Sequence, residues 1–138
     1  MDQGFFTHVL DAFEGFIADE HGPVRSATHG RGLKVWFGAA DGRSAREHYE
    51  AQLIRLDGTT ACEIGFHAEH REPARNDRVL TALLADEGAW REALGPEAEP
   101  GAFLGMDGWT RISEVWAPPD PDDPDASIEV AALSLIHI

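Results

Sequence analysis

The stretch HYEAQLIRLDGTTACEIGFHAE, residues 48–69, decides the fold. At its middle stands Asp57-Gly58, a pair suited to the positive φ angles of a two-residue type I′ turn, so His48–Leu56 and Thr59–Glu69 read as the arms of a β-hairpin. Closing the turn at two residues sets Leu56 opposite Thr59 and thereby sets every other pair. On one side Tyr49 faces Phe66, Ala51 faces Ile64 and Leu53 faces Cys62. On the other, His48 faces His67, Glu50 faces Gly65 and Gln52 faces Glu63. A slip of one residue would mix the apolar and polar sets, so side-chain chemistry itself selects this register.

Working upstream, Leu33, Val35 and Phe37 alternate with Lys34 and Trp36, the period-2 pattern of a half-buried strand. Ala39 to Arg43 reads as a turn, and the Gly-, Ser- and Thr-containing segment before Leu33 reads as a loop. Phe5, Phe6, Val9, Leu10, Phe13, Phe16 and Ile17 recur at three- and four-residue steps, which predicts a helix over residues 3–20 with Asp2 as cap and Gly22-Pro23 as stop. Its aromatic stripe is the face that packs on a sheet.

Downstream, Pro73 or Asn76 opens a second helix whose stripe is Val79, Leu80, Leu83, Leu84, Trp90 and Leu94, ending at Gly95-Pro96. Residues 96–108 read as a loop, and Trp109–Ala117 adds a strand carrying Ile112 and Val115, with Trp116 anchoring its end. The expected architecture over residues 1–117 is a single α+β domain. It has an antiparallel sheet of about four strands built on the central DG-turn hairpin, with two long helices packed on one face.

Residues 118–125, with four prolines and four aspartates, read as an extended linker. Asp123-Pro124 then opens a further helix over residues 126–138. Its closing Leu133–Ile138, LSLIHI, matches the in-frame translation of a common sequencing adapter. The expectation is therefore a truncated helix with a non-native tail from residue 133, and nothing is assigned to His137.

Eleven Lys plus Arg stand against twenty-five Asp plus Glu, a net charge of −14. That balance repels phosphate backbones and anionic bilayers, so neither a nucleic acid nor a membrane is expected as partner. Lys34 is the only lysine and Cys62 the only cysteine. A lone cysteine excludes an intramolecular disulfide, and no signal-type or spanning apolar run is present, which makes a soluble cytoplasmic location the default expectation.

Chemistry concentrates on the polar side of the hairpin, where His48 and His67 face each other among Glu50, Gln52, Glu63 and Glu69. Cross-strand Cβ atoms lie about 5 Å apart, close enough for two imidazoles and neighbouring carboxylates to share a divalent ion such as Zn²⁺. The plainer reading is that one face of an antiparallel sheet meets water and is polar for that reason. No HExxH or CxxC pair accompanies the cluster.

Glu50-x-Gln52 with Glu63 is similar to the acidic centres of metal-dependent nucleases, which also use a lysine to steady the attacking water. Nothing in the sequence ties Lys34 to that face. Cys62, between apolar neighbours, reads as a buried structural thiol, and His70 as a strand-end residue. Gly30-x-Gly32 and Gly101, Gly105 and Gly108 form no phosphate loop. Trp36, on the face opposite Val35, is a candidate contact for a partner.

The run Glu63-Ile64-Gly65-Phe66-His67, with Trp90-Arg91, Leu94-Gly95, Trp109, Arg111, Ser113-Glu114 and Trp116, resembles an uncharacterised bacterial protein family, a domain of unknown function, over about residues 5–117. A fainter similarity is to unassigned domains found beside restriction-type nucleases. Neither likeness implies a catalytic residue. The expected function is a non-enzymatic binding or accessory domain without cofactor, meeting an unknown protein partner or forming a homo-oligomer. The alternative is a metal-dependent hydrolase or metal-binding protein using His48, His67, Glu50, Glu63 and Glu69.

Overall fold

A computed structural model describes residues 3–17, 24–29, 31–37, 46–102, 108–120, 122–123 and 125–136. Asp57 and Gly58 take φ angles of 51° and 78°, and the chain reverses there between β3 (Glu47–Leu56) and β4 (Thr59–Ala68). Pairing runs without a break from Leu56↔Thr59 to Glu47↔Ala68, the register read from the sequence. Only glycine, aspartate and asparagine enter that backbone region at low cost, which is why a two-residue turn forms here.

Around this hairpin stand β1 (Val24–His29), β2 (Gly32–Phe37), β5 (Glu99–Ala102) and β6 (Thr110–Trp116). They make one antiparallel six-stranded sheet in the order β1-β2-β3-β4-β6-β5, not a sheet of about four. The two additional strands are the edges. β1, VRSATH, exposes Arg25, Ser26 and Ala27, and β5, EPGA, carries Pro100 and Gly101. An edge strand has a single partner and need not bury an alternating face, so it leaves no period-2 signal, and proline is tolerated there.

The helices are α1 (Gln3–Phe16), α2 (Pro73–Ala85), α3 (Glu87–Leu94) and α4 (Ala126–Ile136). No helix among the described residues is long and apolar enough to cross a membrane. α1 ends short of residue 20, and its proposed cap Asp2 and stop Gly22-Pro23 lie outside the described residues. Phe5, Phe6, Val9 and Phe13 are buried against Leu33, Val35, Ala51, Leu53, Cys62 and Ile64 of the sheet. The helix after the linker packs into this same core, through Ala126, Val130 and Ala131.

The expected second helix is two. The chain leaves helical geometry at Asp86, φ −109° and ψ 19°, where Asp86 and Gly88 bracket a poor helix-forming stretch. The Trp90 indole then donates to the Leu83 carbonyl at 2.7 Å, an acceptor near the broken end. The stripe is half-buried, and Leu84 is exposed. A cavity of about 220 Å³ remains between Leu83, Trp90 and Leu94 and the sheet residues Tyr49, Phe66 and Ile112. These sheet residues share the parity of Ala51 and Ile64, so α2 and α3 cover the same face as α1.

Asn76 is the fully buried residue of α2 and works as a clamp. Its Oδ1 accepts from the His70 amide at 2.8 Å, and its Nδ2 donates to the carbonyls of His70 and Gly108 at 3.0 and 2.7 Å. This ties the first turn of α2 to the end of β4 and the start of β6.

Candidate metal centre

The face of the sheet turned away from these helices carries its polar residues in register. Lys34 of β2 pairs with Glu50 of β3, Glu50 with Gly65 of β4, and Gly65 with Ser113 of β6. In the adjoining row His48 pairs with His67 and His67 with Arg111. Trp36 lies one residue past the last β2–β3 pair, Val35↔Tyr49, so its register neighbour is His48. Two residues beyond His67, Glu69 closes the group, its amide donating to the Arg46 carbonyl at 2.8 Å.

This face is not a solvated one. His48 is 2% exposed, Glu50 5%, Glu69 7%, and Glu63 and His67 are fully buried. The plain reading of a polar face meeting water is thereby corrected. Period-2 polarity reports which residues share a face and not how far that face is exposed. Ionisable groups tolerate such burial only when paired or bound to a metal.

Four of these side chains converge. His48 Nε2 lies 3.1 Å from Glu50 Oε1, which lies 3.1 Å from His67 Nδ1. His67 Nδ1 is 3.1 Å from Glu69 Oε2, and that oxygen is 3.6 Å from His48 Nε2. The result is a closed ring of alternating nitrogen and oxygen donors, and one donor atom from each of the four residues lies within 4.8 Å of the others. Donors roughly 2.0–2.2 Å from a shared ion sit about 2.8–3.1 Å apart along octahedral edges and about 3.3–3.6 Å along tetrahedral ones, so the ring has the size of a coordination shell.

Glu63, expected among the ligands, stands behind one of them. Both its oxygens lie 2.9 Å from His67 Nε2, the ring nitrogen facing away from the cluster. Ser113 Oγ donates to Glu63 Oε2 at 2.9 Å and Gln52 Nε2 to Oε1 at 3.1 Å. Arg111 in turn donates to Ser113 Oγ at 2.6 Å. A carboxylate on the far nitrogen of an imidazole sets its tautomer and orientation and makes the near nitrogen a better donor to a metal.

Space for this arrangement comes from Gly65. A Cβ there would strike the Ile112 carbonyl and the Ser113 side chain. With no side chain at 65, Ser113 on β6 can reach Glu63 across the centre of the face.

Electrostatics bind the cluster internally. Burial by itself would raise the Glu50 carboxyl, but hydrogen bonds from His48 and His67, with the charges of His67 and Lys34, bring it down to about 2. Burial would lower His67, yet its bonds to Glu50, Glu63 and Glu69 hold it well above the ordinary histidine value. Glu69 is likewise lowered against its burial, through His67, His48 and Lys34.

The sequence named His48, Glu50, His67, Glu69 and Glu63, and all five are brought together. It did not attach Lys34, whose Nζ lies 3.7 Å from Glu69 Oε1, nor Ser113 and Arg111. The available signal was the repeated His-x-Glu, His48-x-Glu50 and His67-x-Glu69, which an in-register hairpin superimposes on one face. Trp36, read as a partner contact, is only 7% exposed.

Two smaller expectations agree with the structure. His70 follows the end of β4, with Nε2 2.8 Å from Glu47. Cys62 is a buried thiol, pushed up to about 12 by burial and by Glu63. A search of protein-family models, curated proteins and solved structures finds no match to this chain.

Proposed function

We propose that this domain binds a divalent transition-metal ion through His48 Nε2, Glu50 Oε1, His67 Nδ1 and Glu69 Oε2. The observation that carries the reading is the closed donor ring, with His67 held from behind by Glu63. Two imidazoles and two carboxylates, without thiolate, suit Zn²⁺ and its neighbours Mn²⁺, Fe²⁺ and Co²⁺ better than soft copper(I). Burial of the four side chains, none more than 7% exposed, limits competition from water at the donors.

The test is calorimetric titration of chelator-treated protein with Zn²⁺, paired with metal analysis after dialysis. One ion per chain is expected, with a melting temperature that rises with Zn²⁺ and about 4 kcal/mol of added stability once zinc reaches a thousand times its Kd. His67→Ala removes a ligand and is expected to abolish both effects. Unchanged melting of the wild-type chain at millimolar Zn²⁺, with no heat of binding, would leave the cluster as a buried ion-pair network.

The other reading is a binding or accessory domain for a protein partner or a second copy. It is favoured by exposed Trp116 at the end of β6 and Ile128 on α4, the helix beside it. Concentration-dependent size exclusion that is lost in Trp116→Ser supports it. A monomer at all concentrations sinks the second-copy form.

A further inference from the structure

Resting on the metal reading, we propose that the centre takes a small carboxylate anion as an additional ligand, received on its β2 side by Lys34 Nζ and the Trp36 indole N–H. Two independent observations carry this. The first is Trp36. It is 7% exposed, and its Nε1 has no hydrogen-bond partner among the described residues. An indole nitrogen is a donor only, so what satisfies it must be an acceptor, and no cation can. One residue past the last β2–β3 pair, Val35↔Tyr49, the register sets it next to His48, on the face of the sheet that carries the four donor residues.

The second observation is Lys34, two residues away on the same face of β2. Its ammonium is 3.7 Å from Glu69 Oε1, too long for a hydrogen bond, and its side chain is 28% exposed, the most open among the charged groups of the centre. Glu69 offers Oε2 to the ring, so a bound divalent cation neutralises the carboxylate that now attracts Lys34. The lysine is then left next to a metal, and an anion bridging the two relieves that repulsion. Among the described residues the other buried donor without a partner, Arg111 Nε, is on the β6 side beyond His67, where Ser113 and Glu99 already engage the rest of the guanidinium.

A carboxylate fits these groups. One oxygen on the metal leaves the other for an N–H donor, and a single negative charge matches a single lysine. The donors named would form a half-exposed entrance at Lys34 leading to a buried end at Trp36.

The experiment uses the full chain loaded with Co²⁺, whose visible bands report its ligands. Sodium formate and acetate are titrated in, then inorganic phosphate, with perchlorate at equal ionic strength as control. Saturable band shifts with formate or acetate, and affinity for them weakened about tenfold or more in Trp36→Phe and in Lys34→Gln, are expected, the loss of one charge-assisted hydrogen bond each. Metal content is measured in every sample, so a weakened anion response is read only against loaded protein.

Bands in the loaded chain that no anion moves would overturn the inference and leave the metal reading standing. A shift with phosphate alone would overturn the carboxylate assignment, and wild-type anion affinity in both variants would overturn the assignment to Lys34 and Trp36. Failure to take up Co²⁺ at all would overturn the metal reading and this one together.

Discussion

Gly65→Ala is expected to destabilise the domain by ~3 kcal/mol, the upper part of the range for overpacking, and to lower its melting temperature by about 10 °C. The added Cβ has no direction in which to yield. It meets the Ile112 carbonyl oxygen and the Cα and Cβ of Ser113, which are atoms of the neighbouring strand and not the far end of a flexible side chain. β4 is paired on both sides, with β3 and β6, so moving it breaks one ladder or the other. Gly88 supplies the control. It sits in α3 with nothing within 4 Å of a Cβ, and Gly88→Ala is expected to be neutral or to stabilise the helix by up to ~1 kcal/mol. Thermal melts of the two variants check this directly, and equal melting temperatures would refute the steric account.

The second large effect is expected at Glu63. It is fully buried and accepts from His67, Ser113 and Gln52, so Glu63→Leu strands three donors and leaves the raised His67 without one of its carboxylates. Breaking a buried, hydrogen-bonded ion pair from one side costs about 3–5 kcal/mol, and chemical denaturation of the metal-free chain is the measurement. Glu63→Gln keeps the volume and removes the charge behind the imidazole. Its expected signature is a 10–100-fold weaker metal affinity with the ligand ring intact, as for other carboxylates that orient a ligating histidine. Glu63→Leu with wild-type stability would mean that the bonds around Glu63 contribute little. Glu63→Gln with wild-type metal affinity would remove Glu63 from the centre.

The two substitutions probe different parts of one design. Gly65 makes room on the polar face, and Glu63, anchored from β6 by Ser113 and Arg111, uses that room to hold His67 in place. β6 therefore supports the donor ring without contributing an atom to it. The same dependence explains why residues far apart in sequence, Glu63 and Ser113, have to be brought together before the donor ring has a fixed shape.

Much of this was written locally. Asp57-Gly58 sets the turn, the turn sets the register, and the register puts His48, Glu50, Gln52, Glu63 and His67 on one face because side chains alternate with period 2. The aromatic face of α1 was equally legible, since an apolar stripe at helical spacing has to be buried somewhere. The break at Asp86 and the strands β1 and β5 were not legible in the same way. Their stability comes from a contact outside the segment itself, the Trp90 indole on the Leu83 carbonyl or a single adjoining strand, and such a contact imposes no periodicity on the residues that make it.

By itself, then, the sequence determined the hairpin, its register and which residues share each face, because those follow from backbone geometry over a few consecutive residues. Only the tertiary structure decided that the polar face is buried, that Lys34 and Trp36 flank the histidines, and that Glu63 stands behind His67 and not in the ring. Pairing of β2 and β6 with the hairpin, and the burial of its polar side, depend on residues outside it. No local pattern of residues 48–69 specifies them.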